Sequence, residues 1–376
     1  MAKLPEIKID QTLLDINTAL EVKQKLEKPR HYLGMSQIGD PCWRKLFYSF
    51  RNVKKREISA SGLKAIEDGF AQEAVMIERL KMLPYIDLHA DDGEGNQIGF
   101  KLLLDHFRGH ADGMIKGIKV APLTWHVWEH KSVNQTKFNK LKKLIADHGE
   151  KAALQLWDET YFGQAVIYMH NSQTTRHYLT VTTPGGRDCI SCRTDYNKKI
   201  AEDIIEKAKV IIFDNWHLPA KLSENRESFK CKFCDYKGIC HDGDFPLVHC
   251  KTCRYSELVK DGQRKCLKKD IIIEETMLNL DNCPDHVYNP ALISAKVIDQ
   301  QESGSIYETE SGVKFANCTA SAFPELKGKL DTILPSIDLY KKIKNVNNLT
   351  KESAVIQKDF DGEIGEEGGK AWDIIG

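Results

Sequence analysis

The stretch Trp125-His126-Val127-Trp128-Glu129-His130-Lys131-Ser132 decides how this chain is read. Its aromatic and β-branched residues predict a strand. On a strand, residues two apart share a face, so Glu129 and Lys131 project together. An acid and a lysine on the face of an otherwise apolar strand are costly to bury unless a metal or a substrate compensates them. Upstream, GHADGMI (109–115) places Asp112 between Gly109 and Gly113 on a second predicted strand. Two carboxylates and one ammonium then converge. Such a set can hold Mg²⁺ or Mn²⁺, which lowers the pKa of a bound water, while the lysine meets charge developing on a phosphate. The plain alternative is a strand whose charged face is simply solvated.

Working outward, helical periodicity predicts helices over 10–28, 41–50 and 61–83, the third capped by Ser59 or Ser61. The period then changes, and strands are expected over 98–105, 107–115 and 125–132. Helices return over 136–147 and 151–170, followed by a strand over 175–183 and a long helix over 195–214. This order predicts an α/β domain with a central mixed sheet flanked by helices. A hairpin over 305–317, a short helix over 336–345 and an acidic, Gly-rich disordered end are expected beyond it.

Three further residues fall in step with the strand pair. Glu73, in Gly69-Phe70-Ala71-Gln72-Glu73, can be aimed at the same cleft from the third helix. Gln164 and Tyr168 are four apart and so stack on one helix face. Each alone is an ordinary surface or packing residue. His110 lies two before Asp112 and is expected on its strand face, as a neighbour of the site or a structural residue.

The ordered set G-x-x-x-E, G-H-x-D-G, E-x-K and Q-x-x-x-Y resembles the PD-(D/E)XK nuclease superfamily, in its RecB-like branch, over roughly residues 36–245. The resemblance implies a restriction-endonuclease-like fold and a metal-dependent DNA nuclease. It makes Asp112, Glu129, Glu73 and the backbone carbonyl of His130 metal ligands, Lys131 the catalytic lysine, and Gln164 and Tyr168 substrate contacts. Many members carry a histidine ligand in the first helix. Here Gln72 and Glu73 stand there, a form similar to the phage exonuclease variant.

Eleven cysteines in a chain that opens MAKLPEIKID, without a secretory leader pattern, point to metal ligands or buried thiols rather than disulfides. Cys231-x2-Cys234-x5-Cys240 leaves a four-ligand site incomplete, and Cys42 supplies a fourth thiol. This pattern resembles the [4Fe–4S] staple of a RecB-like subgroup that includes CRISPR-adaptation exonucleases and the AddB nuclease. A structural zinc at the same thiols is the alternative. Cys250-x2-Cys253-x12-Cys266-x16-Cys283 predicts a small zinc module, with His286 able to replace Cys283 and His249 a weaker candidate. Its lysines and arginines suit phosphate contact or a solvated surface equally. Cys189 and Cys192 lie on a β-like stretch, would face opposite ways, and read as buried or incidental thiols.

The expected organisation is a nuclease-like domain over 1–245, a cysteine-rich module over 246–290, and a C-terminal region over 291–376. Fifty-four basic residues balance fifty-four acidic ones. Residues 351–376 hold three lysines against seven acids, so the rest of the chain is net basic by four. The zero total therefore does not speak against DNA, and KFNKLKK (137–143) offers a basic rim or a solvated helix face. No apolar run nears the roughly 18 residues of a membrane span. The expected protein is a cytoplasmic exonuclease on single strands or DNA ends in replication, recombination or processing, of a kind suited to a phage. A non-cleaving nucleic-acid-binding or assembly protein with the same modules is the main alternative. A redox protein built on the cysteines ranks last, since nothing resembles a dinucleotide or flavin site.

Overall fold

A computed structural model describes residues 10–278, 283–319 and 332–349. The acidic segment 351–376 lies outside the described residues. Contacts divide the chain into two compact units, one of Met1–Pro41 with Arg56–Ile212, the other of Cys42–Lys55 with Phe213 onward. The expected boundaries at 245 and 290 do not appear as breaks. Both cysteine sets fall in the second unit, within which one apolar cluster joins Phe245, Val248 and Tyr288 to Tyr307 and Phe315 across both boundaries. Among the described residues no helix is long and apolar enough to cross a membrane.

In chain order the elements run α1 (Gln11–Leu26), β1 (Leu33–Gly34), α2 (Trp43–Phe50), α3 (Ala60–Lys81), β2 (Asp87–His89), β3 (Ile98–Leu102), β4 (Phe107–Ala111), β5 (Gly113–Lys116) and β6 (His126–Ser132). They continue with α4 (Gln135–His148), α5 (Glu150–Trp157), α6 (Glu159–Ser172), β7 (Arg176–Thr182), β8 (Cys189–Asp195) and α7 (Lys198–Phe213). Of these, α2 belongs to the second unit.

The first unit is built on a five-stranded sheet in the order β2-β5-β6-β7-β8. The β6–β7 pair is parallel and the other pairs are antiparallel, so the sheet is mixed, as expected. β6 is buried from His126 to His130 because helices cover both faces. On one face Trp128 packs with Met76 and Leu80 of α3. On the other, α4, α5 and α6 bring Phe138, Leu141, Leu154 and Ala165 against Leu179 and Val181. A smaller sheet, β1-β4-β3, carries the approach to Asp112. Lys207 of α7 is buried, and its ammonium donates to the carbonyls of Ile38 (2.7 Å) and Asp40 (2.6 Å), which satisfies it.

Three expectations change. The strand over 107–115 is two strands in two different sheets, so Asp112 sits at the bend between them and not within a strand. The helix over 151–170 is two helices, because the Asp158 carboxylate caps the second one. The first helix forms, capped by Asp10, but none of its residues is buried.

In the second unit, Cys42 caps α2, and Phe47 and Tyr48 pack with Tyr236, Ile239 and Leu292. Three short antiparallel strands follow: β9 (Ser256–Leu258), β10 (Arg264–Cys266) and β11 (Ile271–Ile273). The expected hairpin is present as Gly304–Glu308 paired with Lys314–Cys318, and the short helix as 336–343.

Candidate active site

Asp112, Glu129 and Lys131 meet at the end of β6. β5 pairs with β6 only over Gly113–Ile115, so the edge of β6 beyond Trp128 is open to the bend at Asp112. Asp112 Oδ2 accepts the backbone N–H of His130 at 2.8 Å. Lys131 Nζ donates to Glu129 Oε2 at 2.7 Å and lies 3.7 Å from Asp112 Oδ2. From α6, Gln164 Nε2 donates to the same Glu129 Oε2 at 2.9 Å. Glu129 is buried, and its other oxygen, Oε1, has no hydrogen-bond partner.

The electrostatics follow from burial and crowding. Burial first, then the Asp112 carboxylate, push Glu129 upward against the pull of Lys131. Partial burial and then Asp112 raise Glu73 of α3 to about 7, again opposed by Lys131. Burial alone would lower Lys131, but Asp112 and Glu129 outweigh it and hold the ammonium charged. The result is an excess of acceptor oxygens and negative charge around one lysine.

Gln164 and Tyr168 are both buried. Gln164 spends its amide on Glu129, and the Tyr168 ring packs 5.3 Å from that of Phe100, with burial and then Glu129 raising its pKa. Gln164 thus holds the carboxylate from behind. His110 is a correction. The strand ends at Ala111, and the alternation along β4 turns His110 outward, opposite Gly99. The His130 side chain is likewise turned away, bonded to the hydroxyls of Thr180 (2.9 Å) and Thr182 (3.2 Å).

Two residues were not anticipated. The Tyr161 ring lies 5.7 Å from Lys131 Nζ, and its spacing from Gln164 and Tyr168 on one helix face was the available signal. Asp68 accepts from Ser132 at 2.7 Å, tying α3 to the end of β6. The segment 137–143 lies on α4 with Phe138 and Leu141 buried and its lysines exposed.

The cysteines fall into two groups. Cys42 accepts the backbone N–H of Lys45 at 3.4 Å, and Arg44 donates to Cys240 at 3.8 Å. Burial, with Cys42 a further contributor, raises Cys234 and Cys240. Cys231 is buried on the turn just before Cys234. In the second group, burial and then Cys283 and Cys266 push Cys250 up to about 11. Burial, with Cys250 and Cys283 contributing, takes Cys253 to about 12. His286 instead spends Nε2 on Thr252 (3.1 Å) and the His249 carbonyl (3.1 Å). His249 has both ring nitrogens engaged, with the Asn52 carbonyl and the Lys251 N–H. Cys189 is exposed and Cys192 buried, on opposite faces of β8. Among the described residues, no three His, Cys, Asp or Glu side chains are arranged, as they stand, to hold a metal ion.

No family model and no curated protein matches this sequence. Among solved structures, similarity was found to the crystal structure of SSO0001, 15% identical, over 62% of this chain and 98% of that one at a TM-score of 0.37. A second is an alkaline exonuclease (LHK-Exo) from Laribacter hongkongensis, 12% identical, over 52% of this chain and 90% of that one at 0.34. The complex of that exonuclease with dAMP gives the same values. Similarity this distant carries no argument here.

Proposed function

We propose that the chain is a metal-dependent deoxyribonuclease acting on single strands or DNA ends. The observation that carries this reading is the meeting of Asp112, Glu129 and Lys131, with Gln164 fixing Glu129 Oε2 and Oε1 left unbonded. A buried carboxylate oxygen without a donor is costly, and a divalent cation would answer both that oxygen and the mutual repulsion of the acids. Asp112, Glu129 and Glu73 are the side chains that would hold it. In a strand the N–H and C=O of one residue project to the same side, which favours the His130 carbonyl as a further ligand. When bound there, Mg²⁺ or Mn²⁺ supplies activation of water and neutralisation of phosphate charge.

The protein's own groups do the rest. Lys131, held protonated, donates to the charge that grows on the phosphoryl oxygens. Gln164 and Lys131 together pin Glu129. The exposed lysines of α4 meet the DNA backbone. The first cysteine set, with Arg44 and the N-terminus of α2 directed at its sulfurs, favours an anionic metal–thiolate centre, read as [4Fe–4S]. The second set favours zinc.

The test uses full-length protein purified without oxygen, with iron, sulfide and zinc measured, on end-labelled single- and double-stranded DNA. Cleavage with Mg²⁺ or Mn²⁺ is expected, abolished by EDTA and reduced roughly 100-fold or more in Lys131→Ala, with DNA binding retained. Metal-loaded wild-type protein that binds DNA but cuts neither form would leave a binding or assembly protein.

A further inference from the structure

A cavity of about 340 Å³ opens within the second unit. That volume falls in the range of small-molecule sites, roughly 300–1,000 Å³. Phe213, Trp216 and Leu267 line it while remaining 40%, 58% and 52% exposed. An exposed apolar residue standing alone is ordinary, but several large ones gathered on one concavity mark a binding site. Of the basic residues around the second cysteine set, Lys251 and Arg264 are buried, whereas Arg254 reaches this cavity.

The polar groups of the lining are held from behind. Asn215 Oδ1 accepts from Arg51 Nη2 (3.0 Å) and from Asn289 Nδ2 (3.1 Å). Those two bonds fix the amide and leave Nδ2 as the donor that Asn215 offers a ligand. The backbone N–H groups of Trp216 (2.8 Å) and His217 (2.9 Å) donate to Asp214 Oδ1, which sets the turn that carries the indole. Arg254 Nη1 donates to the Gly304 carbonyl (3.0 Å) and the Ser305 hydroxyl (3.1 Å). These acceptors orient the guanidinium and are neutral, so its charge is not cancelled. Glu257, also on the lining, supplies an acceptor.

An indole, a guanidinium, an amide donor and a carboxylate acceptor complement the parts of a nucleotide. Every base has a π-face that stacks on an aromatic ring, and base edges carry both acceptors and N–H donors. A purely apolar ligand would desolvate Arg254 and Glu257 without partners, and Glu257 would repel a polyphosphate. We propose that this cavity binds an unpaired nucleotide, with the base on Trp216, its edge on Asn215 and Glu257, and one phosphate on Arg254. A base inside a duplex does not fit, since its faces are stacked and its edge is paired. Binding of this kind needs no cleavage, so the site stands or falls apart from the nuclease reading.

The test is tryptophan fluorescence of the full chain without added Mg²⁺ or Mn²⁺, titrated with single-stranded oligonucleotides, with the same sequences as duplexes, and with deoxynucleoside monophosphates. Unpaired ligands are expected to quench wild-type emission, and Trp216→Phe to lose that quench. Trp216→Ala should bind the quenching ligand on the order of 10-fold more weakly, the usual worth of one stacked base. Arg254→Gln should also weaken binding and flatten its salt dependence. Trp216 is the decisive position, because a side chain more than half exposed can be removed with the fold intact. Quenching by strands alone assigns the site to a polynucleotide, and quenching by monophosphates assigns it to the nucleotide whatever its source. No Trp216-dependent quench from either, or an equal quench from duplex, overturns the proposal. Failure of the cleavage assay with this quench retained would strike the nuclease reading alone.

Discussion

Gly109 is held to hydrogen by what lies on it. A Cβ there would sit 2.6 Å from Tyr168 Cε1, 2.7 Å from the Tyr168 hydroxyl and 2.7 Å from Met35 Cβ. Backbone and ring must touch for Tyr168 to occupy its place behind Gln164. Gly109→Ala is expected to lower unfolding free energy by about 1–3 kcal/mol, read by urea denaturation, because overpacking forces neighbours off their positions. Cleavage should fall with it. An unchanged urea midpoint would show that the ring has room to retreat. At this scale the sequence was legible where spacing is rigid: Glu129 and Lys131 share a face of β6 as two-residue alternation requires. It was not legible for Gln164, since helical spacing marks a face but not the acid that waits opposite it. A buried amide on a carboxylate and a solvent-directed one look the same in one dimension.

The element that most affects the site is α6, and its start is a capping event. Asp158 Oδ1 accepts the N–H groups of Thr160 (3.0 Å) and Tyr161 (3.2 Å), while Oδ2 pairs with Lys137 (3.3 Å). The break it makes turns a predicted 20-residue helix into two and sets the phase at which Tyr161, Gln164 and Tyr168 face β6. Asp158→Ala is expected to cost about 1 kcal/mol, seen as a lower thermal midpoint. Asp158→Asn keeps the cap and should restore most of it. If Asn is as damaging as Ala, the ion pair with Lys137 matters more than the cap. The bend at Asp112 is the counterpart among strands. Nothing in FRGHADGMI announces that the chain changes sheets there, because β-propensity continues on both sides of it. Only pairing, with β3 before the bend and β6 after it, separates the two halves.

Over the whole molecule, buried histidines set the response to acid. Burial lowers His130 to about 4 and His177 to about 3 in the first unit, and His249 to about 4 and His286 to about 3 in the second. Unfolded, each takes up a proton near its ordinary value of 6.5, so below that value the unfolded state binds more protons. Stability is therefore full above about pH 6.5 and falls as pH drops towards 4, by up to about 1.4 kcal/mol per pH unit for each fully buried ring. His177 has neither ring nitrogen hydrogen-bonded, so His177→Phe removes a titrating group and no bond. Urea titrations at several pH values should show a shallower fall between pH 6.5 and 4 in that variant. An identical slope would mean that His177 stays neutral in the unfolded chain or is hydrated in the folded one.

The sequence by itself determined most of the alternation of helices and strands in the first unit and the two-residue spacing that aims Glu129 and Lys131 together. These are consequences of local period and spacing, which a single chain carries along its length. Tertiary structure alone decided that Gln164 and Tyr168 are buried behind the carboxylate, that Asp112 sits at a crossing between sheets, and that part of the basic stretch around the second cysteine set is buried rather than solvated. Each of these depends on which distant segment fills the space beside a residue. Burial and hydrogen-bond partnership are properties of that neighbour as much as of the residue itself.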